Sequence, residues 1–114
     1  ITRHPANVGF TLWGLLHLAP NGDLATVLLI SPVLVLGVFG TWHIERRRQA
    51  RHGEAWTAYA RETSIVPFAA ILRGAQHLSL REIGWARILG GLAVWAGLLL
   101  THRLFVGVLP YPNL

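Results

Sequence analysis

The side chains that could carry chemistry in this chain of 114 residues are histidines and arginines, because acids are few and cysteine is absent. The six histidines are His4, His17, His43, His52, His77 and His102, and all ten basic residues are arginines. Neutral imidazole is the commonest metal ligand in proteins and a usual axial ligand of haem iron. Without cysteine, the chain has no thiolate nucleophile, disulfide or cysteine metal site.

One long apolar segment indicates that membrane-spanning helices position these residues. Residues 24–44 contain no charged residue, and 21 residues suffice to cross a bilayer as a helix. Four arginines follow closely, which is typical of the cytoplasmic end of a membrane span. We therefore predict spans at about residues 5–19, 24–45 and 84–104, with a turn at residues 20–23.

The distribution of arginine predicts the topology. Eight of the ten arginines lie between residues 46 and 87, so residues 46–83 are predicted to form a cytoplasmic loop with a short interfacial helix at residues 54–62. The net charge of +5 then reflects orientation in a membrane, and no nucleic-acid partner is expected. The predicted fold is an all-α, polytopic membrane helical bundle with about three transmembrane helices.

The chain is expected to pack against other parts of a longer protein. It contains no methionine, so we interpret residues 1–114 as a single membrane domain from the C-terminal part of that protein. The expected partners are membrane lipid and the missing N-terminal half. Small residues recur along the third span, which predicts a face that another helix approaches closely: Ala86, Gly90, Ala93 and Gly97.

Depth in the membrane separates the histidines. A helix rises ~1.5 Å per residue, which places His17 about 6 Å and His43 about 30 Å below the outer turn. These two histidines therefore cannot share one small site. His102 is predicted at roughly the level of His17, and His4 at that of His43. The other two histidines fall in the polar loop and are expected to be solvated.

His17 has two interpretations. An ionisable residue inside a span is by default a functional-site hypothesis, here a ligand between helices. The alternative is a neutral imidazole that bonds to a neighbouring helix. For His102 simple packing is favoured, because Arg103 indicates that its helix is already reaching the outer interface.

The Arg3-His4-Pro5 sequence also has two interpretations. It is either a basic cap before a helix-starting proline, or a contact for an anion or cofactor, because arginines and helix N-termini attract such groups. Glu45 and the arginines after it could complete a polar pocket there, or anchor the helix in headgroups. The chain shows no paired-carboxylate site, glycine-rich phosphate loop or serine–histidine–aspartate arrangement, and proton-relay transport is poorly supported.

A series of motifs runs through the whole chain. It comprises Ile-Thr-Arg-His-Pro (1–5), Leu-Trp-Gly-Leu-Leu-His (12–17), Asn-Gly-Asp (21–23), Arg-Arg (46–47), Gly-Glu-Ala-Trp (53–56), Thr-Ser-Ile-Val-Pro-Phe-Ala-Ala (63–70) and residues 99–102. In this order the motifs resemble the C-terminal half of the NnrU family. The resemblance implies a multi-pass membrane protein. It relates the chain to bacterial denitrification proteins and to plant zeta-carotene isomerase, a haem b enzyme that moves a cis double bond.

The resemblance also implies a cofactor and its site. The cofactor would be haem b, with His17 as an axial metal ligand and the second ligand in the missing half. The candidate cofactor-binding residues are His17, His4, Arg3 and His102. The expected role is redox or isomerase chemistry on a small or lipophilic substrate.

Two other functions stay open at this point. Arg-His-Pro, the nearby Gly9 and the Glu-Arg-Arg run at residues 45–47 resemble membrane methyltransferases of the isoprenylcysteine type. In that case Arg3, His4, Glu45 and Tyr59 would contact S-adenosylmethionine. The third possibility is a non-enzymatic membrane assembly or regulatory protein in which the histidines are merely packed.

Overall fold

The computed structural model describes residues 1–110, which contain helices and no β-strand, as the sequence predicts. Five helices follow one another: α1 (Pro5–Leu18), α2 (Leu24–Glu62), α3 (Ala69–Leu72), α4 (Leu80–Ile83) and α5 (Trp85–Val106). The chain divides into two compact units, Ile1–Leu78 and Ser79–Leu114. The first unit contains α1 to α3, and the second contains α4 and α5. The single membrane domain expected from the sequence stays a prediction.

The start of each long helix in the first unit follows from local chemistry. α1 begins at Pro5 as predicted, because a proline at the first position loses no intrahelical hydrogen bond. Before α2, the Asp23 carboxylate accepts hydrogen bonds from the Thr26 hydroxyl at 2.6 Å and the Thr26 amide at 3.0 Å. These two bonds hold the pKa of Asp23 below its usual range, and they cap α2 as expected for aspartate there.

α2 is longer than predicted. Residues 46–52, expected as part of a cytoplasmic loop, continue the helix, whereas the end of the membrane span at about residue 45 stays a prediction. Most residues of this stretch are arginine, glutamine or alanine, which favour helix. The arginine charges indicate that the chain leaves the apolar environment, but they do not end the helix. The segment 54–62 is helical, as predicted, and belongs to the same element.

Gly53 breaks α2 into two arms. Its φ of 52° and ψ of −121° are non-helical, a conformation that glycine adopts without the steric cost of a Cβ. The side chain of Gln49 then bonds to the Gly53 carbonyl at 3.3 Å and to the Thr57 hydroxyl at 3.1 Å. The arm at residues 54–62 therefore lies back against the end of the long arm.

α1 and the long arm of α2 form the predicted antiparallel hairpin through small and polar residues. The Asn7 amide donates to the Thr41 hydroxyl at 2.9 Å, and the Thr41 hydroxyl donates to the Gly37 carbonyl at 2.9 Å. Gly14 and Gly37 are buried at this contact. A Cβ on Gly37 would lie 3.1 Å from the Asn7 carbonyl oxygen and would collide with Thr11. The two backbones approach closely because glycine leaves room for them.

Replacing Gly37 by alanine is expected to destabilise the first unit by about 1–3 kcal/mol, because the backbone atoms around it have no room for a methyl group. Gly9 on α1 is the matched control, since a Cβ there meets no atom within 4 Å. Alanine at Gly9 should stabilise the helix by about 0.5–1 kcal/mol. Unfolding in mixed micelles measures both variants. Equal effects at the two positions would contradict close packing at Gly37.

The N-terminal residues are tied to the segment after α2. The Arg3 amide donates to the Ser64 carbonyl at 2.9 Å, and the Phe68 amide donates to the Ile1 carbonyl at 3.0 Å. Ser64 is itself buried, and its hydroxyl accepts from the Ala70 amide at 3.1 Å. The apolar segment 67–72 thus contains the single turn α3 and is tied to the chain start.

In the second unit, the helix α5 (Trp85–Val106) has nearly the same bounds as the predicted span 84–104. It begins after Gly84 (φ 85°) and ends at Gly107 (φ 81°), whose amide donates to the Arg103 carbonyl at 2.9 Å. The predicted stripe of small residues on α5 is exposed, and a Cβ on Gly90 or Gly97 meets no atom within 4 Å. Contact of this stripe with another helix stays a prediction.

Two helices, α2 and α5, are long and apolar enough to cross a membrane. α1 has 14 residues, which at 1.5 Å per residue span about 21 Å, less than the ~30 Å hydrocarbon core. The predicted first span therefore stays a prediction. Several large apolar side chains of α2 are 62–73% exposed: Leu24, Leu28, Leu29, Leu36 and Phe39. Such a surface is typical of a helix that faces lipid or another chain.

Candidate functional site

Arg3, His4 and Glu45 form a buried ionic group, named here the Arg3–Glu45 cluster. The Arg3 guanidinium donates from Nε to Glu45 Oε1 at 2.8 Å and from Nη2 to Oε2 at 2.9 Å, a bidentate fork. His4 Nε2 lies 2.5 Å from Glu45 Oε1. The side chains of Arg3 and His4 are 8% exposed, and that of Glu45 is 17% exposed. Each buried charge therefore depends on its partner to offset its desolvation.

Three segments of the first unit position this cluster. Arg3 and His4 lie just before α1, and Glu45 lies one turn beyond Thr41 on the α2 face that contacts α1. Nη1 of Arg3 reaches the Ala60 carbonyl at 3.5 Å and the Thr63 hydroxyl at 3.4 Å. The guanidinium thus joins the chain start to both arms of α2, which favours a fixed orientation.

The hydrogen bond of His4 determines which of its nitrogens carries a proton. A carboxylate in a bidentate pair with arginine is ionised and only accepts hydrogen bonds, so Nε2 of His4 donates to Glu45. A protonated nitrogen cannot bind a metal ion. His4 is therefore poorly suited to bind iron through Nε2, and its predicted cofactor contact can be only a hydrogen bond or a charge.

His17 lies in the last turn of α1 and is oriented by Trp13. Its Nδ1 donates to the Trp13 carbonyl oxygen at 2.7 Å, because a carbonyl only accepts. The two rings stack with centroids 4.5 Å apart and a tilt of 35°. In the neutral ring the lone pair then belongs to Nε2. A backbone carbonyl that fixes the imidazole in this way is the usual support of a metal-binding histidine.

His102, in the second unit, has the same kind of support. Its Nδ1 donates to the Val108 carbonyl at 2.8 Å, beyond the end of α5. This bond ties the segment after the helix to its last turn, which agrees with the packing role favoured from the sequence. The neutral ring again has its lone pair on Nε2, so the bond is also compatible with the predicted cofactor contact.

The remaining histidines are exposed. His43 was predicted at the depth of His4, but the structure places Glu45 beside His4 and leaves His43 exposed. His52 and His77 are exposed as expected. Within residues 1–110 no group of three or more histidine, cysteine, aspartate or glutamate side chains could hold a metal ion. Metal binding by clusters of such residues thus has no support in the described part.

A cavity of about 390 Å³ borders the Arg3–Glu45 cluster and is lined by Arg3, His4, Arg48, Trp56 and Tyr59. The guanidinium carbons of Arg48 and Arg3 lie 5.2 Å and 6.0 Å from the centre of the buried Trp56 ring. Both distances fit cation–π contacts. Trp56 was not predicted as a site residue, whereas Arg48 belongs to the arginines that were predicted either to complete a polar pocket beside Arg3 or to anchor the helix. The sequence signal for their contact is that Arg48 and Trp56 lie on opposite sides of Gly53, where the helix is interrupted.

A second, apolar groove of about 570 Å³ lies on the other half of the unit. It is lined by Ala6, Gly9, Phe10, Trp13 and Val33. Trp13 thus both lines this groove and stacks on His17. Grooves of 300–1,000 Å³ with predominantly apolar lining are typical of sites for small lipophilic ligands.

The fold and these sites define an all-helical protein with two candidate membrane-spanning helices and a buried ionic cluster at the polar end of one. The NnrU protein family matches residues 1–110, and the chain belongs to that family. It is similar to the chloroplastic 15-cis-zeta-carotene isomerases of Zea mays (40% identical over 78 residues) and Arabidopsis thaliana (37% over 78). The match covers 68% of this chain but 21% of each plant protein. No solved structure matches the chain significantly.

Proposed function

We propose that this chain is part of a haem-binding membrane protein of isomerase type that acts on a lipophilic polyene. The observation that carries the proposal is the orientation of His17 beside the apolar groove. Its Nδ1 bond to Trp13 gives the tautomer that binds iron through Nε2. The two plant relatives are 15-cis-zeta-carotene isomerases, and 40% identity to the maize protein supports related chemistry.

The residues around His17 fit haem as the cofactor. A histidine that holds haem iron needs a fixed ring orientation and apolar surroundings, and Trp13 contributes to both through its carbonyl and its ring. We propose His17 as one axial ligand of haem b. When bound, haem supplies an iron centre that changes oxidation state and can contact a double bond.

The groove beside His17 supports a long apolar substrate. Phe10, Trp13 and Val33 offer apolar surface against which a polyene can lose contact with water. The open space at Gly9 leaves room for a rigid chain to lie along α1. A groove of this size favours a polyene over the small substrates of nitrogen-oxide metabolism, the other role associated with the family.

Membrane insertion is part of the same proposal. α2 and α5 meet the requirement of length and composition for a span, and a lipophilic substrate reaches its site from the bilayer. The arginines after residue 45 are consistent with the inner face of a bacterial cytoplasmic membrane. We propose this location, with the rest of the protein and lipid as partners and without nucleic acid.

A membrane methyltransferase is the second candidate, because the structure brings together the residues that this resemblance selected. Arg3, His4 and Tyr59 line one cavity, and Glu45 bonds to the first two. However, both carboxylate oxygens of Glu45 accept from Arg3. The cavity thus offers no unpaired anion to the positive charges of S-adenosylmethionine, and this candidate ranks second.

The test uses the protein produced from its complete reading frame in haem-replete cells. We expect a Soret band after purification, and conversion of 15-cis-zeta-carotene by the reduced protein, followed by chromatography of the isomers. Haem-containing protein without isomerisation would contradict the substrate. Protein without haem that binds S-adenosylmethionine in a calorimetric titration would favour the methyltransferase.

A further inference from the structure

We infer that the cavity lined by Arg3, His4, Arg48, Trp56 and Tyr59 is a phosphate-binding site, for a phospholipid headgroup or for free phosphate. The two arginines that line this cavity differ in whether a carboxylate neutralises them. Glu45 neutralises Arg3 in the bidentate pair. Arg48 has no carboxylate oxygen within 4.0 Å in the part of the chain that the structure describes. Within residues 1–110, the cavity therefore has one positive charge that no carboxylate neutralises.

The donors of Arg48 are also unused. Its guanidinium makes no hydrogen bond to protein within residues 1–110, whereas Arg3 bonds to Glu45, Ala60 and Thr63. Five N–H groups are thus available at the rim of the cavity. Guanidinium groups match phosphate oxygens in bidentate geometry, which lysine cannot reproduce.

Trp56 contacts both guanidinium groups. Its ring is 8% exposed and lies under both Arg48 and Arg3. Stacking on a buried indole restricts the long arginine side chain before a ligand arrives, so binding loses less conformational entropy. Tyr59, whose phenol group can donate a hydrogen bond, also lines the cavity, and its ring lies 5.2 Å from that of Trp56.

The remaining wall of the cavity is rigid and mostly buried. The side chains of Arg3 and His4 are 8% exposed and both bond to Glu45, so they form a wall of fixed position whose arginine charge is neutralised. The cavity, at about 390 Å³, has room for a tetrahedral group and part of what it is attached to. A tetrahedral anion can accept from Arg48 and Tyr59 together, and its oxygens outnumber those of a carboxylate.

The position of the cavity favours a lipid as the source of the phosphate. Arg48, which lines it, closely follows the uncharged segment 24–44 in a run that also contains Arg46, Arg47 and Arg51. If α2 crosses the membrane, as proposed above, this is the level of the phosphate groups of the inner leaflet. The lipid source rests on that proposal, whereas binding of free phosphate does not.

The experiment compares two variants that remove the same charge. Arg48→Gln removes the guanidinium that lines the cavity, and Arg47→Gln removes its exposed neighbour, which does not line it. Each purified protein in detergent is titrated calorimetrically with inorganic phosphate and with dihexanoyl phosphatidic acid. Circular dichroism and haem content check that both variants fold.

We expect Arg48→Gln to bind the probe at least tenfold more weakly, because a charge-assisted bond is lost, and Arg47→Gln to bind like the parent protein. Binding of phosphatidic acid alone identifies a lipid headgroup as the ligand, and equal binding of inorganic phosphate identifies free phosphate. Both results uphold the site. Equal losses in the two variants would show only general attraction to the arginine run, and no binding of either probe at millimolar concentration would also overturn the inference.

Discussion

Replacing His17 by alanine should remove most of the haem from the protein. An axial ligand bonds to iron directly, whereas even supporting groups around such ligands contribute roughly 10–100-fold in affinity. The loss of His17 should therefore weaken haem binding by a larger factor than this. The measurement is haem per chain from the Soret absorbance of the purified protein produced from its complete reading frame.

The control for this prediction is His52→Ala, which removes an exposed histidine on α2. It should keep the haem content of the parent protein. Added imidazole should restore part of the Soret band to the His17 variant, because the small molecule can occupy the position of the lost ring. Full haem content in the His17 variant would exclude it as a required ligand. Loss without rescue by imidazole would indicate a structural role for the Trp13–His17 pair.

Replacing Glu45 by alanine should give the largest loss of stability in the first unit. The change leaves Arg3 buried and without its bidentate partner, and breaking a buried ion pair in this way costs about 3–5 kcal/mol. Unfolding in mixed micelles measures the loss. Glu54→Ala is the matched control, because Glu54 is exposed on the same helix and should change stability by less than about 0.5 kcal/mol.

A double variant distinguishes the ion pair from simple packing. Replacing Arg3 and Glu45 together by methionine removes both charges and keeps apolar volume, so much of the lost stability should return. Recovery in the double variant supports a buried pair whose charges compensate each other. A double variant as unstable as Glu45→Ala would show that the hydrogen bonds of Arg3 to Ala60 and Thr63 contribute more than its pairing does.

Hydropathy and caps predicted most of the helices. The apolar run of α2, its Asp23 cap and the starts of α1 and α5 depend on neighbours within a few residues, so the sequence contains that information. The continuation of α2 through residues 46–52 was missed because a run of arginines was interpreted as a loop. Arginine favours helix, and it is the backbone of Gly53 that ends the long arm.

The partner of His4 could not be derived from depth. The rise per residue gave the correct level on α2, but the direction of a side chain around the axis changes by about 100° per residue. His43 and Glu45, two positions apart, therefore point to nearly opposite sides. A spacing of four from Gly37 to Thr41 to Glu45 marks the face toward α1, and this pattern could have selected Glu45.

The cavity with Trp56 depends on the reversal at Gly53, and no short-range pattern specifies it. Arg48 and Trp56 come together only because the chain folds back after that glycine. The sequence did indicate Arg3 and Tyr59 through a resemblance to methyltransferases. That resemblance selected residues that the structure does bring together, although the charge of the cavity favours a different ligand.

The hydrogen bonds between the chain start and residues 60–68 set an order for assembly during synthesis. α1 and the long arm of α2 can pair as soon as both have left the ribosome, since the two helices follow each other in the sequence and are connected by one turn. Arg3 meets Ser64, and Ile1 meets Phe68, only after more than sixty residues have been made. Arg3, His4 and Glu45 can therefore pair when the hairpin forms, whereas the bonds of Arg3 to Ala60, Thr63 and Ser64 that complete its surroundings form later.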